Sequence, residues 1–129
     1  MNKCCIFDYE DAPTAFKNFK YNVIKDIGKT VYTEDGKPKH SAHTWHSGGR
    51  KIVQCIKCGA IFVYQHSEYW PNNGDPDSYY YDYFLVDSIE QANFLNDKFD
   101  GWELERSFEG LKLWTLHDVW YWNKKDFIK

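Results

Sequence analysis

The sequence predicts an α+β domain with a mainly antiparallel sheet. Two segments combine helical periodicity with helix start signals, a hairpin surrounds a Cys-x-x-Cys-Gly turn, and runs of β-branched and aromatic residues alternate with turn clusters. The 129 residues suit a single domain spanning residues 1–129. Aromatic residues make up 19% of the chain. We therefore expect a core built more from Phe, Tyr and Trp than from Leu and Val.

The first helix is predicted over residues 12–28. Asp11 is a suitable N-cap, Pro13 fits the first turn, and Gly28 fits the position just past the end. Four apolar residues recur at spacings of three and four and would form its buried stripe: Phe16, Phe19, Val23 and Ile27. A short strand at 29–33 and a turn would follow, and the polar, His-rich residues 39–49 are predicted to form a loop.

The second half of the chain is predicted to continue as β-α-β-β. Residues 78–86 form an aromatic-rich strand, and the next helix begins with a capping box made by Ser88 and Gln91. Segments 102–108 and 111–116 are predicted to pair as a hairpin joined by Glu109-Gly110. Residues 119–122 are expected to form the last strand.

A metal site is predicted at the tip of the hairpin formed by residues 51–54 and 60–65. Cys55 and Cys58 are separated by two residues in a tight turn, a spacing that lets both sulfurs share one tetrahedral ion. Gly59 permits the backbone conformation that such a turn needs. The order strand, Cys-x-x-Cys-Gly, strand resembles half of a zinc ribbon, and this resemblance implies a structural zinc ion.

The other two ligands are predicted to be His43 and His46, which have the same two-residue gap and lie closest before Cys55. The zinc-stapled hairpin and loop would then span about residues 40–66. His40 and His66 are alternative ligands. The pair Cys4-Cys5 is a more remote source, because adjacent cysteines on a strand point to opposite faces. Iron in place of zinc stays open.

The sequence favours a structural metal over a catalytic or redox site. Zinc deaminases need a His-x-Glu motif with the glutamate as acid/base, and neither it nor His-Glu-x-x-His occurs in this chain. A redox Cys-x-x-Cys usually opens a helix, whereas a strand-like segment follows Cys58. Catalytic residues are therefore not expected, and a metalloenzyme is the least favoured class.

A surface for a partner protein is predicted around residues 68–83, where tyrosine and tryptophan alternate with acidic residues. On a strand, Tyr80 and Asp82 share one face. An aspartate on that face argues against its full burial, so we expect Tyr80 to be exposed or in an interface. The candidate partner-binding residues are Tyr69, Trp70, Asp75, Asp77, Tyr80 and Asp82. Aromatic rings beside acids suit a basic partner.

Charge supports this interpretation. Residues 1–60 contain ten Lys or Arg and six Asp or Glu, whereas residues 61–129 contain six and thirteen. The resulting hypothesis is a non-enzymatic, zinc-stabilised inhibitor of immunity or anti-defence type, from a low-GC bacterium or its phage, whose acidic half binds a basic protein. The alternative is a nucleic-acid-associated zinc protein that uses the basic residues near the site, namely Lys37, Lys39, Arg50, Lys51 and Lys57.

Cytoplasmic location is expected. The N-terminal residues do not resemble a secretory signal, and no apolar run approaches the roughly 20 residues of a membrane span. In a reducing compartment the four cysteines would be metal ligands or free thiols rather than disulfides.

Overall fold

Six strands form one antiparallel sheet within the residues that the structure describes, and their order in space is their order along the chain. The structure, a computed structural model, describes residues 4–29, 47–69, 78–99, 101–116 and 118–123. The strands are β1 Tyr21–Lys29, β2 Ser47–Cys55, β3 Ile61–Tyr69, β4 Ser78–Val86, β5 Lys112–Leu116 and β6 Val119–Trp122. The helices are α1 Ala12–Asn18, α2 Ile89–Lys98 and α3 Gly101–Ser107, and a 3-10 turn spans Cys5–Asp8.

Side-chain alternation along the strands gives the sheet two buried faces. Val53, Phe62 and Tyr83 point to one of them, which packs against the 3-10 turn and α1 and is called the N-terminal face. The opposite face packs against α2 and α3 and is called the α2–α3 face; it carries Ile52, Val63, Phe84 and Val86. The predicted mixture of helices and antiparallel sheet is present, with helices on both sides.

The helix predicted over residues 12–28 is wrong in its second half. The Asp11 side chain accepts a hydrogen bond from the Thr14 amide as predicted, but α1 ends at Asn18 and the chain continues as β1. Phe19 is buried and Tyr21 half-buried in the same cluster, a spacing of two that only an extended chain provides. Pairing with residues 49–55 of β2 outweighs the weak helical periodicity.

The hairpin predicted at Glu109-Gly110 is also wrong, because residues 101–107 form α3. Leu104 is fully buried and Phe108 packs against the same cluster, so the apolar spacing is four. The two-residue hairpin lies instead between β5 and β6, where Leu116 pairs with Val119.

The strands β4 and β6 and the helix α2 agree with the sequence prediction. The predicted hairpin of β2 and β3 is present but longer than expected: β2 begins at Ser47, so the loop predicted over 39–49 is wrong for residues 47–49, and β3 continues to Tyr69. Strands β2 and β3 pair around the Cys-x-x-Cys turn, β4 has the predicted bounds of 78–86, and β6 those of 119–122. Ser88 caps α2 by accepting from the Gln91 amide, while the Gln91 side chain accepts from the Asp87 amide. The Ser88 cap and the Gln91 side-chain hydrogen bond involve only neighbouring residues, and for this reason the fold retains both. Of the strand predicted at 29–33, Lys29 is the last residue of β1, and residues 30–33 lie outside the described residues.

Candidate metal centre

The turn between β2 and β3 holds Cys55 and Cys58 in a fixed backbone. The Cys55 amide donates to the Ala60 carbonyl, and the Gly59 amide donates to the Cys55 carbonyl, each at 2.9 Å. Gly59 has a φ of +82°, a conformation that glycine adopts without steric cost. The Gln54 side chain donates to the Gly59 carbonyl at 3.0 Å and closes the turn. The turn is therefore ordered by its own hydrogen bonds.

A second pair of thiols, Cys4 and Cys5, reaches this turn from the N-terminal segment. Cys4 has extended backbone dihedrals, whereas Cys5 begins the 3-10 turn, and the Phe7 amide donates to the Cys4 carbonyl at 3.1 Å. Because the backbone changes from extended to helical between the two cysteines, the alternation of a strand does not separate their side chains. Ile6 is buried and fixes the segment against the N-terminal face.

The four sulfur atoms form one compact cluster. All lie within 4.8 Å of one another, and none of the four cysteines forms a disulfide. The Cys5 and Cys55 sulfurs are 3.7 Å apart, and those of Cys58 and Cys4 are 3.5 Å apart. A tetrahedral ion with Zn–S bonds of about 2.3 Å places its sulfurs about 3.8 Å apart. The cluster therefore has the dimensions of a four-thiolate site and can hold a metal ion.

Burial makes the thiols of this cluster unequal. It raises the pKa of Cys4 far above its ordinary value, and burial together with the Cys55 thiol raises the pKa of Cys5 to about 11. Burial also opposes ionisation of Cys58, but hydrogen bonds from the backbone of Cys5 and Ala60 outweigh it and lower the pKa of Cys58 to about 7. Thiolates crowded at these distances repel one another, so the fully ionised cluster requires a bound cation.

Two of the predicted metal ligands, Cys55 and Cys58, belong to the cluster. The predicted histidines His43 and His46, and the alternative His40, lie outside the described residues. His66 lies on β3 and stacks on Tyr64, with ring centroids 6.1 Å apart. Cys4 and Cys5 also belong to the cluster. They were expected to be remote ligands because adjacent cysteines on a strand point to opposite faces, but Cys5 begins the 3-10 turn and the two are not on one strand.

The structure buries one of the residues predicted to form an acidic surface. Asp82 is 3% exposed and lies on the α2–α3 face, where its register neighbour is Gln65 of β3. The prediction that this face of β4 is exposed is therefore wrong for Asp82; α2 and α3, which follow β4, cover it. Tyr80 is half-buried, and Tyr69 is the last residue of β3. Trp70, Asp75 and Asp77 lie outside the described residues.

Arg50 is also buried, which removes it from the predicted basic patch. Its Nε atom donates to the Gln65 side chain at 2.9 Å, and its Nη1 atom donates to the Phe99 carbonyl at 2.7 Å and to the Asn96 side chain at 3.0 Å. The guanidinium group thereby joins the sheet to the end of α2. It is not presented to phosphates.

In the part of the chain that the structure describes, no helix has the length and apolar character needed to cross a membrane. No protein-family model matches the sequence, and neither a curated protein nor a solved structure matches it. The four-thiol cluster therefore has to be interpreted from its own geometry and chemistry.

Proposed function

We propose that the protein is a zinc-stabilised, non-enzymatic binding module whose metal is held by the four-cysteine cluster. The observation that carries the proposal is the convergence of Cys4, Cys5, Cys55 and Cys58 within 4.8 Å. Thiolate sulfur prefers soft and borderline metal ions, and zinc is the common occupant of four-cysteine sites. Four protein ligands leave no coordination position for a substrate or an activated water, so the zinc is structural.

The position of the cluster determines which segments the zinc joins. Two ligands come from the N-terminal segment and two from the β2–β3 turn, which lie about fifty residues apart in the sequence. Structural zinc contributes roughly 10–16 kcal/mol of apparent binding free energy to small fingers. The ion therefore holds the 3-10 turn on the sheet and keeps the N-terminal face covered.

The partner that the charge favours is a basic protein, and the module acts on it as an inhibitor of immunity or anti-defence type. The support is the excess of acidic residues, thirteen against six basic ones, in residues 61–129. An acidic surface speeds association with a basic protein and makes it sensitive to salt. Asp82 takes no part in this surface because it is buried.

Native mass spectrometry of the purified protein tests the metal. The expected result is one zinc ion per chain, lost in the Cys55→Ser variant together with thermal stability. The matched control is the double variant His43→Ala/His46→Ala, which should keep its zinc if the four thiols are the ligands. Loss of zinc from the histidine variant with retention in Cys4→Ser would assign the ligands to the histidines instead. A parent protein without metal would overturn the proposal.

The partner is tested separately with Tyr80→Ala. A basic protein captured by the tagged parent should bind this variant more weakly, while the melting temperature stays close to that of the parent. Binding that is unchanged both by the variant and by 0.5 M salt, which screens charges beyond about 4 Å, would contradict an electrostatic interface at β4.

A further inference from the structure

The N-terminal face carries a second site, an aromatic cavity distinct from the thiol cluster. It has a volume of about 400 Å³, within the range of small-molecule pockets. Thr115 and Asp118 line it together with six aromatic side chains. The six rings are those of Phe16, Tyr21, Tyr64, Tyr81, Tyr83 and Trp120.

The rings of this aromatic cavity are held in place by one another. Phe16 of α1 stacks on Trp120 of β6 with ring centroids 3.8 Å apart, and Tyr64 stacks on Tyr83 at 4.7 Å. The Tyr21 and Tyr83 hydroxyl groups are hydrogen-bonded at 3.0 Å. A ligand would therefore meet a wall that is already formed and would lose little affinity to ordering it.

The aromatic cavity favours positive charge. Among the lining residues that the structure describes, none is Lys, Arg or His, and the one carboxylate is that of Asp118. Burial raises the pKa of Tyr64 and of Tyr83, so both phenols stay neutral. Aromatic faces carry negative electrostatic potential. An anion would meet no compensating charge here.

Asp118 lies at the mouth of the cavity, in the turn between β5 and β6. It is exposed, and its φ of +64° is a left-handed conformation that aspartate tolerates better than most residues. A carboxylate beside stacked aromatic rings supplies a counter-ion, while the rings replace the water around a weakly hydrated cation.

We propose that the aromatic cavity binds an organic cation with a quaternary ammonium head. Such a head has no hydrogen-bond donors and is recognised through cation–π contacts, which suits a wall of rings with a single carboxylate. A cavity of about 400 Å³ also leaves room for the group that carries the head. This inference goes beyond the proposed function, and none of the residues that line the cavity belongs to the thiol cluster.

The test is titration of the zinc-loaded protein with choline, followed by NMR chemical-shift changes of the indole and amide signals. Its matched neutral analogue is 3,3-dimethylbutan-1-ol, which has the same shape without the charge. We expect choline to bind at least about fivefold more tightly than the alcohol, as cation–π contacts of about 1 kcal/mol imply. Free Nε-trimethyl-lysine forms a second arm, and comparing it with choline shows whether a small metabolite or a modified side chain fits better.

Variants of residues that line the aromatic cavity show where choline binds. Asp118→Asn keeps the turn-compatible side chain and should weaken choline binding about threefold or more, while leaving the affinity of the neutral alcohol unchanged. Tyr81→Leu should weaken choline binding by a similar factor, and Asp97→Asn on the exposed side of α2 is the control that should have no effect. Equal affinity for choline and the alcohol, shift changes away from Trp120 and Tyr81, or no binding of either cation would overturn the proposal.

Discussion

The two faces of the sheet are covered in different ways. The N-terminal face is covered by a 3-10 turn of four residues and a helix of seven, which pack through aromatic rings and are tied to the β2–β3 turn by the thiol cluster. The α2–α3 face is covered by helices of ten and seven residues that bury aliphatic side chains such as Leu95 and Leu104. It also holds Arg50, Gln65 and Asp82 in a polar row across three strands.

The two faces of this small domain therefore differ in how the segments that cover them are kept in place. Short helices bury too little apolar surface to stay in place alone, and the proposed zinc would cross-link the distant segments that cover the N-terminal face. The α2–α3 face has a longer helix, α2, which is capped by Ser88, and a fully buried leucine, Leu104. We therefore expect the two faces to respond differently to metal removal, to cavity formation and to pH.

The largest expected effect is that of removing zinc with a strong chelator. Amide hydrogen exchange in residues 4–9 and 55–60 should increase about tenfold or more, because under the proposed function the metal contributes several kcal/mol to holding them together. Exchange in α2 should change much less, since its contacts lie on the other face of the sheet. Hydrogen exchange measured by mass spectrometry with and without chelator checks both regions in one experiment. An equal increase in both regions would show that the faces do not open independently.

The next largest expected effect is that of truncating a core side chain on the α2–α3 face. Leu104→Ala removes a side chain that is 0% exposed and should lower the free energy of unfolding by about 2–5 kcal/mol. Urea denaturation of the zinc-loaded protein measures it, with Phe94→Ala as the control because Phe94 is 57% exposed. Zinc stoichiometry should stay at that of the parent in both variants. A loss below about 1 kcal/mol for Leu104→Ala would contradict the placement of α3 on the sheet.

Local signals in the sequence predicted those parts of the fold in which local and tertiary preferences agree. The Cys-x-x-Cys-Gly turn, the strand at 78–86 and the Ser88 cap are of this kind. The helix prediction is wrong over residues 19–28 because a sparse helical pattern coincides with an edge strand whose Val23 and Ile24 are substantially exposed. There the pairing with β2 decides, and no local pattern encodes it.

The candidate site was predictable by half. Cys55 and Cys58 are recognisable from their spacing, whereas Cys4 and Cys5 approach them only through the tertiary packing of Ile6 and its neighbours. A Cys-Cys pair followed by an apolar residue is not by itself a metal motif. The available signal was the cysteine count. In a chain expected to be reduced, all four cysteines together can supply the four ligands of one site. Burial of Asp82 could not be foreseen, because it depends on which face α2 and α3 cover.

The smallest expected effect is a pH dependence that belongs to the α2–α3 face. Burial, followed by the charge of Glu105, raises the pKa of Asp82 to about 8, while Lys112 and the Gln65 side chain act in the opposite direction. Its Oδ2 atom is buried without a hydrogen-bond partner among the described residues. In the unfolded chain this carboxyl ionises near pH 4. Between about pH 4 and pH 8 the folded state therefore binds the extra proton, and stability falls as pH rises.

Asp82→Asn removes this titration while keeping the size of the side chain. The variant should gain stability relative to the parent as pH increases from 5 to 8, by a few kcal/mol at most, because only the parent has to release the extra proton of its folded state over this interval. Urea denaturation of both zinc-loaded proteins at each pH measures the difference, in which the titrations of the histidines and of the thiol cluster cancel because both proteins share them. A difference that stays constant with pH would mean that Asp82 is ionised in the folded state, held by the nearby Lys112 and by the row that contains Arg50. The polar row would then be a charged network rather than a neutral one, and the α2–α3 face would depend on electrostatics as the N-terminal face is proposed to depend on a metal.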